Sequence, residues 1–159
     1  MPKKLSHIDE KGKPRMVDVT SKSVTQREAA AKGTVHMQSA TLALIQKGQI
    51  AKGDVLTVAQ LAGILAAKKT PDLIPLCHPL LLGEIRVEFE VDEAASAIHI
   101  TSTVKNSGQT GVEMEAMTAT AVAALTIYDM CKAVDRGIRL DNIRMVRKSG
   151  GRSGLIELE

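Results

Sequence analysis

The stretch GEIRVEFEVDEAASAIHITSTVK, Gly83 to Lys105, decides the fold class. Its first half alternates strictly. Ile85, Val87, Phe89 and Val91 share one face and Arg86, Glu88 and Glu90 the other, the period-two signature of a strand with one buried side. Ser96 to Lys105 alternates again through Ile98, Ile100 and Val104. The polar connection Asp92 to Ala95 is short enough to fold the chain back, so the two strands form an antiparallel hairpin. Downstream, Val112 to Arg136 is rich in Ala and Met and is closed by Gly137. It reads as one long helix lacking a polar face, and therefore covered on most sides.

Further from the hairpin the signals are shorter. Ser39 is placed to cap a helix over Ala40 to Lys47 that ends at Gly48, and Asp54 to cap a second one carrying Val55, Val58, Leu61, Ala62, Leu65 and Ala66. Pro71 stops that helix. TPDLIPLCHPL, Thr70 to Leu80, holds Pro71, Pro75 and Pro79 and so predicts a rigid connector, extended or of a single turn. Gly33 to Gln38 reads as a short strand and Ile138 to Arg147 as a last long one. Residues 1 to about 32 read as a flexible N-terminal arm, and about 148 to 154, in the run KSGGRSG, as a mobile C-terminal loop. The expectation is a single domain over residues 1–159, of α+β class, with an antiparallel sheet of about four strands and helices on one face.

Composition excludes several functions. The chain has 159 residues, 44% hydrophobic and 25% charged, an ordinary soluble mixture. Its aromatics are Phe89 and Tyr128 alone, so it lacks the stacking side chains on which single-stranded nucleic acids are read. A net charge of +3 is too mild for a duplex binder. Cys77 and Cys131 lack the spacing of a zinc ribbon or redox pair and read as free thiols. With no apolar run long enough to span a bilayer, a cytoplasmic protein is expected, with neither membrane nor nucleic-acid partners.

Five constellations carry chemistry, each with a plainer alternative. His78, between Cys77 and Pro79, sits on a stiff frame suited to proton transfer or phosphate contact, or is simply a structural histidine. Asp129 and Lys132, three apart on the long helix, are either a solvated ion pair or a buried functional one. Lys52 precedes the capping Asp54 at a helix start, an anion-binding position, or is an exposed loop lysine. Glu113 and Glu115 favour the helix dipole, or accept the N–H donors of a guanine-like ring. Lys148 with Gly150, Gly151, Arg152 and Gly154 suits a phosphate clamp or a loose tail.

LIPLCHPL, TGVEMEAM, IYDMCKAV and KSGG, in this order with MVDV near the start, resemble the cyclic pyranopterin monophosphate synthase family of molybdenum cofactor biosynthesis, often called MoaC. The resemblance spans His7 to about Ser153. It implies ferredoxin-like subunits in a homohexamer, a trimer of dimers, with active sites at subunit interfaces. It also implies a lyase that converts (8S)-3′,8-cyclo-7,8-dihydroguanosine 5′-triphosphate to cyclic pyranopterin monophosphate, releasing diphosphate. That chemistry needs no redox cofactor and no resident metal, and the resemblance leaves a role for Mg²⁺ open. By motif, Asp129, Lys52 and Lys132 fall at the catalytic positions. Leu76, Cys77, His78, Met114 and Glu115 fall on substrate-contacting segments, with Arg27 and Lys148 as further basic groups. Repulsion within such a cationic pocket would lower the lysine pKa values of Lys52 or Lys132. A non-catalytic guanine-nucleotide sensor of the same fold is the competing expectation.

Overall fold

A computed structural model describes residues 6–159. Strands β1 (Thr25–His36), β2 (Glu84–Asp92), β3 (Ala97–Gly108), β4 (Arg139–Ser149) and β5 (Ile156–Glu157) make one antiparallel sheet in the order β2-β3-β1-β4-β5. The helices are α1 (Ser39–Gln46), α2 (Val55–Lys68), α3 (Thr70–Leu73) and α4 (Glu113–Cys131). The first four strands with their helical crossovers form the β-α-β-β-α-β arrangement of ferredoxin-like α+β proteins. The hairpin read from the sequence runs in register from Glu84 opposite Lys105 to Asp92 opposite Ala97. The Asp92 carboxylate accepts the Ala95 N–H at 2.9 Å, which closes its turn.

Small residues govern the packing. Ala29, Ala31 and Val35 of β1 and Ala116, Ala119 and Ala123 of α4 are at most 1% exposed, so α4 lies close on the sheet. A Cβ at Gly33 would come within 2.9 Å of Thr120 Cγ2, and one at Gly63 of α2 within 3.0 Å of the Ala119 carbonyl. The scarcity of aromatic rings thus matches a core whose layers approach more closely than rings would allow. The expected covering of α4 is incomplete within one chain. Leu125 is exposed, as are Val58, Leu61 and Leu65 of α2 and Leu73 of α3.

Three boundaries need correction. The helix expected to run from Val112 to Arg136 spans only Glu113–Cys131, and the chain then leaves in a turn in which the Val134 and Asp135 N–H groups both bond the Cys131 carbonyl. The arm expected to reach residue 32 ends at Val24, because Thr25 to Lys32 form most of central strand β1. The run AAAKG hides that strand. Alanine has low strand propensity, but here Ala29 and Ala31 are needed to admit α4. Residues 1–5 of the expected arm lie outside the described residues, and residues 6–24 contain an isolated bridge between Ile8 and Pro14. At the other end, Lys148 and Ser149 complete β4, Gly151–Ser153 is a 3-10 turn, and β5 adds a fifth strand to the four expected.

The sheet face away from the helices is polar and internally paired. Arg86 meets Glu84 at 3.0 Å on β2, and Lys105 of β3 meets Glu84 at 2.8 Å and Glu28 of β1 at 3.5 Å. Arg147 of β4 then meets Glu28 at 2.5 Å and Glu157 of β5 at 3.6 Å, so the ladder crosses all five strands.

Candidate active site

A cleft of about 350 Å³ opens where the turn before α4 meets the proline-rich connector, lined by Leu76, Cys77, His78, Met114 and Glu115. The segment around Val17, Val19 and Lys22 forms its other wall. His78 donates from Nε2 to the Val17 carbonyl at 2.7 Å, and Gln109 donates to the carbonyls of Thr20 at 3.0 Å and Lys22 at 3.1 Å. Two site side chains therefore hold the wall in place. Glu115 is 3% exposed, and burial raises its carboxyl pKa to about 6. The Cys77 thiol is pushed up by burial and then by the nearby Glu115 charge, so it is a poor nucleophile here.

A second cleft of about 530 Å³ adjoins the first through Lys22, Thr110, Gly111 and Glu113. It also holds Arg27, Lys148, Arg152 and Ser153. The Arg27 guanidinium donates to the carbonyls of Gly108 at 2.9 Å and Gln109 at 3.0 Å. Lys148 bonds Glu113. Among the described residues Lys22, Arg27 and Arg152 have no carboxylate partner, so the cleft sets four cations against one anion. The turn has to contain glycine: Gly150 and Gly151 have φ of +94° and +67°, and a Cβ on Gly151 would enter the Arg27 guanidinium. The 3-10 turn is thus fitted around Arg27.

The remaining expected residues meet elsewhere. Lys52 donates from Nζ to the Asp129 carbonyl at 2.8 Å and to its carboxylate Oδ2 at 3.0 Å, while Lys132 donates to Oδ1 at 2.7 Å. Hydrogen bonds from Lys132 and then Lys52 hold the Asp129 carboxyl below its usual range. The bond that Lys132 donates to Asp129 pushes the pKa of Lys132 up, which corrects the expected depression of that lysine. All three side chains are about half exposed, so of the two readings left open for Asp129 and Lys132 the structure bears out the solvated one. Nor does Lys52 face the start of α2. Asp54 caps that helix by accepting the Thr57 N–H at 3.1 Å, while Lys52 turns across to the end of α4. Cys131 beside them is fully buried, its thiol raised to about 11 by burial and then by the charge of Asp135.

The clusters occupy opposite ends of one helix. From Glu113 to Asp129, α4 rises roughly 24 Å at about 1.5 Å per residue. The structure therefore gathers Leu76, Cys77, His78, Met114, Glu115, Glu113, Arg27 and Lys148 at one end, and Lys52, Asp129 and Lys132 at the other. Sequence reasoning missed Lys22 and Gln109. Gln109 follows β3 directly, and nothing in the local sequence shows that its amide reaches back to Thr20 and Lys22. Among the described residues, no group of three or more His, Cys, Asp or Glu side chains could hold a metal ion, and no helix is long and apolar enough to cross a membrane.

The ferredoxin-like α+β chain thus sets a buried carboxylate beside a cation-rich cleft, an arrangement complementary in charge to N–H donors and to anionic groups. Comparison with known proteins narrows the class. The MoaC family model matches residues 16–151. A cyclic pyranopterin monophosphate synthase of Roseiflexus castenholzii is 57% identical over 155 residues, 98% of each chain. Proteins of the same name from Parvibaculum lavamentivorans (59% over 152 residues, 96% of this chain and 95% of the relative) and Methylobacterium nodulans (58% over 155 residues, 98% and 97%) are equally similar. The chain belongs to the MoaC family.

Proposed function

We infer that this chain converts (8S)-3′,8-cyclo-7,8-dihydroguanosine 5′-triphosphate to cyclic pyranopterin monophosphate and diphosphate, a lyase step in molybdenum cofactor biosynthesis. The observation that carries the mechanistic part is the pairing of the Glu115 cleft with the Arg27–Lys148–Arg152 cleft, which share a wall. A guanine-derived ring offers N–H donors to Glu115. Its triphosphate, with about four negative charges, lies along the cations.

Lys52, Asp129 and Lys132 supply the proton chemistry. Lys132, held protonated by Asp129, acts first as an acid on the reduced imidazole ring, and Lys52 serves the rearrangement from the other side of the same carboxylate. A ribose hydroxyl then attacks the α-phosphorus. A new P–O bond forms, the bond to the β-phosphate oxygen breaks, and diphosphate leaves against the cleft cations. No redox cofactor enters this sequence, and Mg²⁺ has a place only as a partner of the leaving diphosphate.

One chain cannot bring both ends of α4 to one small ligand, so the working site takes Lys52, Asp129 and Lys132 from a second copy. The exposed Leu61, Leu65, Leu73 and Leu125 give that copy an apolar surface. The assembly is a homohexamer built as a trimer of dimers, working in the cytoplasm with a small molecule as its substrate.

The direct test mixes purified protein with the cyclised triphosphate and follows diphosphate and a fluorescent oxidised pterin. Both appear with the native chain, and neither would favour a guanine-nucleotide sensor. Sharing of the site is tested by mixing two inactive variants, Lys52→Ala and Arg27→Ala, after partial dissociation. Shared sites restore about a quarter of native activity through mixed dimers, whereas self-contained sites restore none.

A further inference from the structure

We propose that Asp135 is a positioning residue for this reaction, clamping α1 to the end of α4 so that Lys52 meets Asp129. The proposal rests on the function inferred above, in which Lys52 and Asp129 act together.

Helix α1 has no cap of its own. Its N-cap is Gln38, not the expected Ser39, and no side chain of the helix start caps it. Asp135 does so from 97 residues away. Its Oδ2 accepts the Gln38 N–H at 2.9 Å and the Thr41 hydroxyl at 3.1 Å, and its Oδ1 accepts the Gly137 N–H at 3.0 Å. The first of these is the bond that an acidic residue at the third helical position makes in a capping box, supplied here by a distant segment, while Thr41 at that position donates to the same oxygen. Asp135 is 2% exposed, so loss of its carboxylate strands three donors without water.

The clamp joins the two pieces that carry the catalytic pair. The Asp135 N–H bonds the Cys131 carbonyl at 3.1 Å, which makes it a continuation of the α4 end bearing Asp129 and Lys132. Helix α1 is short and stiff and ends in a Schellman turn. Gln49 N–H bonds the Leu44 carbonyl at 2.9 Å, Gly48 N–H bonds the Ile45 carbonyl at 3.0 Å, and Gly48 sits at φ +64°. Three residues past Gln49 is Lys52, anchored by buried Ile50 and the bond from Gly53 N–H to the Ile50 carbonyl at 3.0 Å. The ring closes where Lys52 bonds Asp129. Asp135 and Lys52 are thus the polar ties at the two ends of one rigid connection, and a small rotation of α1 at the first displaces the second.

The test reads Lys52 directly. A pulse of acetic anhydride on the assembled protein, followed by peptide mass spectrometry, gives the labelling of Lys52 relative to exposed Lys68 on α2. Asp135→Asn and Thr41→Val should each raise this ratio about threefold toward the value of Asp129→Asn, with kcat down about tenfold and KM within about twofold. Thr41→Ser, which keeps the hydroxyl, should restore the native ratio. If Asp135→Asn does not fold, Thr41→Val decides. A native labelling ratio in the folded variants, whatever their thermal stability, overturns the proposal. Labelling needs no substrate, so its failure is separable from a failure of the native chain to release diphosphate.

Discussion

Two of the cation-bearing surfaces of this molecule differ in what answers their charge. On the outer sheet face every strand passes its charge to the next, from Arg86 and Glu84 through Lys105, Glu28 and Arg147 to Glu157. In the cleft, Arg27 is answered by backbone carbonyls, Lys148 by Glu113, and Lys22 and Arg152 by no carboxylate among the described residues. A modest net charge of +3 therefore conceals one neutralised surface and one with an excess of cations. The comparison teaches that the distribution of pairing, more than the sum of charges, distinguishes the cleft proposed to take the triphosphate.

The largest effect should come from removing a cleft cation. Arg27→Ala is expected to lower kcat/KM for diphosphate release by roughly a hundredfold or more, since a positioned donor to phosphate is lost from a partly enclosed site. Arg27→Lys retains charge but not the fork that grips Gly108 and Gln109, and should recover only a small part. If Arg27→Ala released diphosphate at the native rate, the distinction between the two surfaces would collapse.

Much of the frame on which this contrast rests was readable in advance. The alternation of Glu84–Asp92 and of β3 as far as Lys105, the run of α4 though not its end at Cys131, and the Asp54 cap all appear as local patterns, and local patterns are what sequence periodicity reports. Strand β1 was not readable past Gly33 toward its start, because its Ala residues answer to α4 and not to strand propensity. β5 is two residues long and exists only through its pairing with Arg147 and Lys148. Site residues were legible as motifs, but their grouping was not. That Glu113 is committed to Lys148, and that Lys52 turns to Asp129, depend on contacts 35 and 77 residues apart in sequence. Asp135 was invisible for the same reason.

Glu113 sharpens the comparison at intermediate size. Among the described residues it is the one carboxylate answering the cleft cations, so it competes with the ligand for Lys148. Glu113→Gln should make diphosphate a better product inhibitor, lowering its inhibition constant by about threefold to tenfold. An unchanged or higher constant would make Glu113 a ligand contact and not a stand-in for one.

Glu115 gives a pH signature in the neighbouring cleft. Its folded-state pKa of about 6 lies above the ordinary 4.5, so the fold favours the protonated form. The stabilisation this provides is complete below about pH 4.5 and is lost as pH rises through 6. Relative to native protein, Glu115→Gln should therefore gain about 2 kcal/mol between those limits and hold that gain above them, read from urea midpoints across pH. Substrate recognition runs oppositely, because the ring N–H donors need the carboxylate, and KM should rise as pH falls below 6 in the native protein only.

The smallest effect belongs to the ladder. Arg147 is about half exposed and Glu28 is partly covered, so their contact is a surface ion pair in largely aqueous surroundings. Arg147→Met, Glu28→Gln and the double variant should give a coupling energy of about 1 kcal/mol or less in urea unfolding, further reduced by salt. Turnover should be native in each. The prediction is a strict one, because Arg147 and Lys148 are adjacent on β4 and point to opposite faces of the sheet. Loss of charge at position 147 with activity intact, against loss of activity when the charge at position 148 is removed, would locate the functional field on one side of a single strand. Comparable losses at both would mean that the ladder feeds the cleft through the sheet, and that a paired surface can still matter to an anion on its far side.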